Sequence, residues 1–450
     1  MKRNDDPVIQ REIGRDYPTA QRASGAYIFD ASGRRYLDAA GSYFVTSVGH
    51  GVPDVVEAIV EQVRQLDFAH TGFFATEVRR EFAARLLALA PAGFDKVYLA
   101  TSGSAANEAA IKLSRQYHVL KGNPEKTRVI ARWHSYHGGS LGALSLTGHV
   151  PRRQPFDPML LPFPHIDPPY CYRCPWQQDP SSCAVECAAQ LEKAILHIGP
   201  QYVAAFILEP VSGGPLGALV PPAAYLPKIR QICDRYDVLL IADEVITGAG
   251  RTGTAMAVDH WDVVPDLITL AKGICGGYIP VGATLVHEKI SRTFDSAQTS
   301  FRHGETFSGH PLICAVGNAV LDHLERNRLI ERSREIGEIL GARMESLRSL
   351  PMVGDVRGKG LLRGIELVAD KATRRPFPRH LRVAEQLAKS VAEHDVLVIP
   401  GVGCADGADG DMLTVSPPFI IGETEVEMIV SALKQAIEEF PKSLPSGSFG

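Results

Sequence analysis

The chain reads as an α/β protein, with a large unit built on a mostly parallel, doubly wound sheet and a smaller α+β unit after it. Three observations carry that reading. From about residue 95, short apolar runs alternate with amphipathic helical stretches, the rhythm of parallel strands joined by crossover helices. After Pro311 the rhythm changes to long helical stretches followed by strand, helix, strand, strand and helix. At 450 residues the chain is also about three times the ~150-residue prior for a single domain.

Taken in order, residues 1–65 carry a β-hairpin, Tyr27–Asp30 and Arg35–Asp38, around the turn Ala31-Ser32-Gly33. This N-terminal segment is expected to pack with the C-terminal unit. Residues 66–325 form the large unit. Val97–Ala100 reads as a strand, Ala105–Leu120 as a helix and Tyr202–Leu208 as a fully buried strand. In the helix expected over Ala223–Tyr236, Leu226, Ile229, Ile232, Cys233 and Tyr236 share one face. Strands follow at Val238–Ala242, Leu267–Leu270 and Val281–Leu285, and helices at Leu312–Glu325 and Glu331–Leu347. Residues 326–440 form the smaller unit, and the Ser/Gly/Pro-rich stretch Pro441–Gly450 is expected to be a flexible tail.

Composition narrows the function classes. Hydrophobic residues at 45% and charged residues at 22% match an ordinary globular protein with a sizeable core. A formal net charge of -4 supplies no electrostatic reason to expect nucleic acid or an anionic membrane as partner. The longest apolar run, Tyr202–Leu208, is far short of the ~20 residues of a membrane-spanning helix. The N-terminus turns acidic straight after Lys2 and Arg3 and has no apolar signal core, so a cytoplasmic location is expected. Cys233, Cys275, Cys314 and Cys404 are widely spaced, as suits small core residues in a reducing compartment.

Four segments carry chemistry. Val238–Glu244 is an apolar strand ending in two acids, Asp243 and Glu244, but no G-x-x-x-x-G-K-[ST] loop accompanies it, which removes an ATPase reading. Gly248, Gly250 and Gly253 satisfy a dinucleotide fingerprint, the basis of a distant alternative as an NAD-dependent oxidoreductase. Five residues separate them from the strand and no helical stripe follows, so glycines in a tight turn fit better. Lys272 sits just past the apolar run Leu267–Ala271 and is followed by Gly273, Gly276 and Gly277, the setting an imine-forming lysine needs. Ser102, Gly103 and Ser104 join a strand to a helix, where unpaired N–H groups suit a phosphate or serve as an ordinary N-cap.

Together these segments reach a resemblance. TSGSAANEAAIKLSRQYH at 101, SYHG at 135, EP at 209, ADEVITGAGRTG at 242, LAKG at 270, GETFSGHPL at 304 and RGKGLLRGIEL at 357 resemble the class III aminotransferases, pyridoxal-phosphate enzymes of fold type I. The resemblance implies that Lys272 holds pyridoxal 5'-phosphate as a Schiff base and moves the substrate proton, and that Asp243 faces the pyridine nitrogen. It implies that Tyr136 and Val245 flank the ring, beside His137, and that Ser102, Gly103 and Ser104 cradle the phosphate. Gly304 and Thr306 would reach that phosphate from a second subunit, making a homodimer with active sites at the subunit interface. Glu209 resembles an acid near the cofactor, and Glu244 a structural neighbour. Tyr43, Phe44, Phe73 and Phe74 lie where relatives line the substrate entrance. Arg251 and Arg363 are expected to make structural salt bridges.

The implied activity moves an amino group from an amine or amino acid to a 2-oxo acid such as pyruvate. Racemases, epimerases and a decarboxylating transaminase of the same fold are the alternative. Two departures bear on substrate. No acid follows Glu209-Pro210 in Val211–Ala218, and Val396–Phe419 contains no arginine where relatives place one for a substrate carboxylate. Arg79, Arg80 and Arg153 are candidates for that carboxylate. Ala105 also stands where many relatives carry an acid. No metal is assigned to the site, although Cys171, Cys174, Cys183 and Cys187 could form a structural zinc site, disulfides or free thiols.

Overall fold

The computed structural model describes residues 7–12 and 15–440. The tail expectation for 441–450 therefore falls outside the described residues. Three strands, β1 (Ala20–Ser24), β2 (Tyr27–Asp30) and β3 (Arg35–Leu37), form a small antiparallel sheet. Its turn is held by Asp30 Oδ1, which accepts from the Ser32 and Arg34 amides at 2.9 and 3.0 Å. Strand β1, Ala-Gln-Arg-Ala-Ser, is mostly exposed and lacks the apolar alternation by which β2 and β3 are read.

The large sheet contains β4 (Phe94–Ala100), β5 (Arg128–Arg132), β6 (His165–Ile166), β7 (Val203–Leu208), β8 (Leu239–Asp243), β9 (Leu267–Ala271) and β10 (Gly282–His287), in the order β4-β10-β9-β8-β7-β5-β6. Neighbouring pairs from β9 to β6 are parallel, while β10 runs antiparallel to both β9 and β4. Every residue of β7, β8 and β9 is buried. The alternation of side chains explains why: Phe206, Leu240 and Ile268 join one apolar cluster, while Ile207, Ile241 and Leu267 join another on the opposite face.

In the smaller unit, β11 (Val353–Lys359), β12 (Leu362–Leu367), β13 (Ile399–Val402) and β14 (Asp411–Val415) pair antiparallel in the order β11-β12-β14-β13. Helices Leu329–Glu345, Val383–Glu393 and Glu423–Glu439 accompany them. The N-terminal sheet is tied to this region through Leu37, whose amide donates to Asp395 O at 2.8 Å and whose carbonyl accepts from the Leu397 amide at 2.9 Å. Tyr27 Oη adds a 2.8 Å hydrogen bond to Glu425. The glycines at 250 and 253 have positive φ, and a Cβ on either would lie 2.9 Å from Ile330 Cγ1 or Arg334 Cβ. They let this turn press against the helix Leu329–Glu345 rather than open a helix of their own. Among the described residues, no helix is long and apolar enough to cross a membrane.

Candidate active site

Because β10 is antiparallel to both of its neighbours, β4 points the same way as β9, β8, β7 and β5. Their C-terminal ends therefore open on one edge of the sheet, the place where ligands bind in doubly wound folds. A cavity of about 320 Å³ lies there. Ser102–Ser104 follow β4, Tyr136 and His137 follow β5, Glu209 follows β7, Asp243 ends β8 and Lys272 follows β9, and all of them line it.

Asp243 is held from three sides. Asn107 Nδ2 and His137 Nδ1 donate to its Oδ2, each at 2.8 Å, and the Val245 amide donates to Oδ1 at 3.0 Å. Asn107 is fixed in turn by His137 O at 2.7 Å and by the Thr269 hydroxyl, which donates to its Oδ1 at 2.8 Å. Thr269 is the register partner of Asp243 across β8 and β9, so strand pairing itself aligns the cluster. His137 Nε2 is buried and has no partner.

The helix Gly103–Leu120 begins beside this cluster. Ser102 is its N-cap, with Oγ accepting from the Ala105 amide at 3.1 Å. The Gly103 and Ser104 amides, ahead of the capped Ala105 amide, have no intrahelical acceptor and are available to an anion. A Cβ on Gly103 would come within 2.9 Å of Val245 Cγ1, so only glycine lets that turn approach the end of β8 so closely. Ser104 Oγ accepts from the Gly139 amide at 3.1 Å, linking the turn to the Tyr136–Gly138 loop.

Lys272 has φ +47°, a left-handed conformation that costs a residue with a Cβ about 1–3 kcal/mol. Burial pushes its amine down from 10.5 to about 8, with Arg152 and Arg251 adding to that shift and Asp243 and Glu209 opposing it. Nζ lies 5.1 Å from the Phe44 ring centroid. Phe44 closes a turn in which Gly41, Ser42, Tyr43 and Phe44 all have positive φ, from +46° to +69°. Asp38 holds the turn by accepting from the Ser42 amide and hydroxyl at 2.9 and 2.8 Å. Glu209 acts on backbone, because its two carboxylate oxygens accept from the Tyr136 amide at 2.6 Å and the Gly213 amide at 2.7 Å.

The family model for aminotransferase class-III matches residues 11–437. The chain belongs to the class III aminotransferases. It is 35% identical to the uncharacterized aminotransferase YodT of Bacillus subtilis, over 97% of this chain and 98% of that one. It is likewise 35% identical to a putrescine–pyruvate aminotransferase of Pseudomonas aeruginosa, over 93% and 90% of the two chains. The PLP-bound crystal structure of an amine transaminase from an uncultivated Pseudomonas species superposes with a TM-score of 0.89 at 35% identity, covering 96% of this chain and 98% of that one.

Other residues singled out in this aminotransferase stand apart from the cavity. Thr306 and Gly304 are exposed in a loop that does not line it within the protomer. Phe73 and Phe74 are 83% and 66% exposed, and Tyr43 is turned outward beneath the Arg11 guanidinium. Of the arginines offered to a carboxylate, Arg80 pairs with Glu77 at 3.1 Å. Arg153 is engaged by Asp157 at 2.9 Å and by Thr147 O at 3.0 Å, and stacks over Trp133. Arg79 lies against Gly309.

The expected salt bridges of Arg251 and Arg363 are corrected. Buried Arg251 donates to the carbonyls of Leu361, Pro417 and Thr46 and lies 4.5 Å from the Phe419 ring centroid. Burial pushes its guanidinium down to about 9, with the Asp38 carboxylate opposing that shift without pairing with it. Arg363 likewise donates only to carbonyls, of Gly360, Gly358 and Gly337. Glu244 accepts from the Ala257 and Val258 amides at 3.0 and 2.9 Å and from Thr247, capping the turn at Ala257–Trp261.

All eight cysteines are free thiols. Cys171, Cys174, Cys183 and Cys187 line one small pocket, yet among the described residues no group of three His, Cys, Asp or Glu is arranged to hold a metal ion. Sequence reasoning assigned no role to Asn107 or Thr269. Their signal was the position of Asn107 one turn into the helix and of Thr269 opposite Asp243, which strand register reveals and residue type does not.

Proposed function

We propose that this aminotransferase moves an amino group from an amine or neutral amino acid to a monocarboxylic 2-oxo acid, pyruvate foremost. The observation that carries the reading is the pair formed by Lys272 and Asp243, a depressed amine and a triply held carboxylate facing one cavity from adjacent strand ends. Class III aminotransferases depend on pyridoxal phosphate, and the residues present fit it. The open first turn at Ser102–Ser104 suits its phosphate, the Asp243 carboxylate its pyridine nitrogen, and Tyr136 and Val245 its two faces. His137 orients Asp243, and Lys272 is the amine for its carbonyl. Thr306 would complete the phosphate site from the partner subunit of a homodimer. The exposed Phe73, Phe74 and Phe307 side chains supply an apolar surface for that contact.

When bound, the cofactor supplies an electron sink that stabilises the carbanion left by the substrate's Cα–H bond. The protein's own groups do the rest. Lys272 Nζ, with an affinity for protons near pH 8, can take up the substrate proton and return it. Asp243 can keep a proton on the nitrogen opposite, because its donors fix both of its oxygens. Glu209 sets the Tyr136 backbone and so the tilt of the ring beside it. Phe44, Val45 and Ile279 exclude water from around Nζ and favour an apolar substrate body.

A panel of single-enantiomer amines and amino acids with pyruvate and 2-oxoglutarate tests the reading, following keto product and donor chirality. Apolar amines and neutral amino acids should lead with pyruvate as acceptor. A much better rate with 4-aminobutyrate or ornithine, or racemisation of the donor without keto product, would overturn it. Borohydride reduction followed by peptide mass spectrometry should find the pyridoxyl group on Lys272.

A further inference from the structure

We propose that Arg152 receives the substrate carboxylate. This rests on the aminotransferase reading above and names the group that selects the 2-oxo acid. A carboxylate leaving water for an apolar cavity needs a cation with free N–H donors, and arginine offers them as a planar fork. The stretch Val396–Phe419 contains none. Within the described fold, the other arginines close to the cavity are committed. Arg132 donates to Glu209 O at 2.6 Å, Arg153 to Asp157 and Thr147, and Arg251 to three carbonyls.

Arg152 differs from all of them. Its guanidinium is exposed, makes no hydrogen bond or ion pair among the described residues, and sits 5.1 Å from the ring centroid of Tyr136, a residue lining the cavity. It is near enough to Lys272 to bear on that amine. Its backbone is also firmly placed. The short helix Val150–Arg153 follows His149, whose amide donates to Ser135 O at 3.1 Å and whose Nε2 lies 3.0 Å from Val402 O in β13. The Tyr136 ring, which lines the cavity, then serves as a platform for a flexible cation beside it. One unpaired guanidinium matches one carboxylate. The site should therefore accept the carboxylate of pyruvate or of a neutral amino acid, and should lack a second cation for a dicarboxylate.

The cofactor's absorbance reports each half-reaction separately, so the holoenzyme can be tested with one substrate at a time. Amino-acid and carboxylate-free amine donors would be compared, as would pyruvate and a small aliphatic aldehyde as acceptors, in wild type, Arg152→Gln and Arg152→Lys. In Arg152→Gln the preference for carboxylate-bearing over carboxylate-free partners, as a ratio of kcat/KM, should fall about ten- to one hundredfold, mainly through KM. Arg152→Lys should recover part of it. Equal losses for both substrate types would mean that Arg152 merely steadies Tyr136, and an unchanged ratio would mean that another group meets the carboxylate; either overturns the proposal. Failure of wild type to use pyruvate at all would count against the acceptor in the proposed function. The donor comparison would still test Arg152.

Discussion

Asp243, Asn107 and His137 are held inside one protomer by hydrogen bonds of 2.7–2.8 Å, whereas Tyr43, Phe73 and Phe74, which the family resemblance assigns to the entrance, and Thr306, which it assigns to a partner's phosphate site, are exposed. The first group belongs to strand ends, a helix start and a short loop that the sheet brings together. The second belongs to loops and to a left-handed turn. A cavity floor built this way is complete when the chain folds. In the proposed function, the exposed entrance aromatics and the unengaged Thr306 take their final setting against a second copy of the chain.

The largest expected effect tests the floor. Lys272→Ala should fold and should lose turnover by about 10²–10⁴-fold or more, because no other amine among the cavity-lining residues can move the proton. In wild type, reconstitution of apoenzyme with pyridoxal phosphate should speed up as pH rises through about 8. Only the neutral amine attacks the cofactor's carbonyl, and burial has brought Lys272 down to that value from 10.5. Stopped-flow absorbance across pH 6.5–9.5 checks it, and a flat profile would show that the proton on Lys272 does not limit the step.

Asp243→Asn should follow. An amide in that place must turn its NH₂ toward either the Val245 amide or the donors Asn107 and His137, so a donor meets a donor whichever way it lies. The amide also cannot hold a proton on the pyridine nitrogen. The half-reaction should slow by about 10²–10³-fold, the scale seen when a charge-stabilising group is lost, while cofactor remains bound. An unchanged half-reaction rate would remove Asp243 from the chemistry.

Complementation tests the exposed group through Thr306. Lys272→Ala and Thr306→Arg should each be inactive alone, yet mixed dimers should regain activity, since one of the two sites in each would be free of both lesions. Verified heterodimers without activity would show that the 304–310 loop serves its own protomer. The contrast between the floor and the exposed group would then be one of exposure and not of subunit boundary.

The same contrast explains what could be read from the chain. Lys272 and Asp243 stand at the ends of buried apolar runs, Leu267–Ala271 and Leu239–Asp243, where a charged residue is conspicuous. Strand β7 announced itself as an unbroken apolar run, as strands covered on both faces do. Strand β1 escaped because an exposed edge of Ala-Gln-Arg-Ala-Ser has no apolar period. The carbonyl clamps around Arg251 escaped because Thr46, Leu361 and Pro417 converge only in three dimensions, and a buried cation suggested a carboxylate partner instead. Arg152 and Arg153 are adjacent and identical in type. Only the fold shows that one is bound to Asp157 and the other left without an ion pair among the described residues, over the Tyr136 ring.

The smallest effect concerns the first turn of the floor helix. Ser102 already caps it, and Ala105 sits three residues on, where a glutamate could accept from the Ser102 amide and complete a capping box. A negative charge there also meets the positive end of the helix, for about 0.3–1 kcal/mol. Ala105→Glu should therefore raise the melting temperature of the apoenzyme by about 1–2 °C, near the lower end expected for a chain of this size. The anion-binding amides of this turn point along the helix axis, whereas a side chain at 105 lies on its flank. Affinity for pyridoxal phosphate should then change by less than about twofold, since backbone N–H groups carry that contact. Differential scanning fluorimetry of apo and reconstituted protein, with a cofactor titration, measures both quantities. A large loss of affinity with the added charge would mean that the phosphate is met from the flank of the turn and not from its amides, and the floor would have to be redrawn around that position.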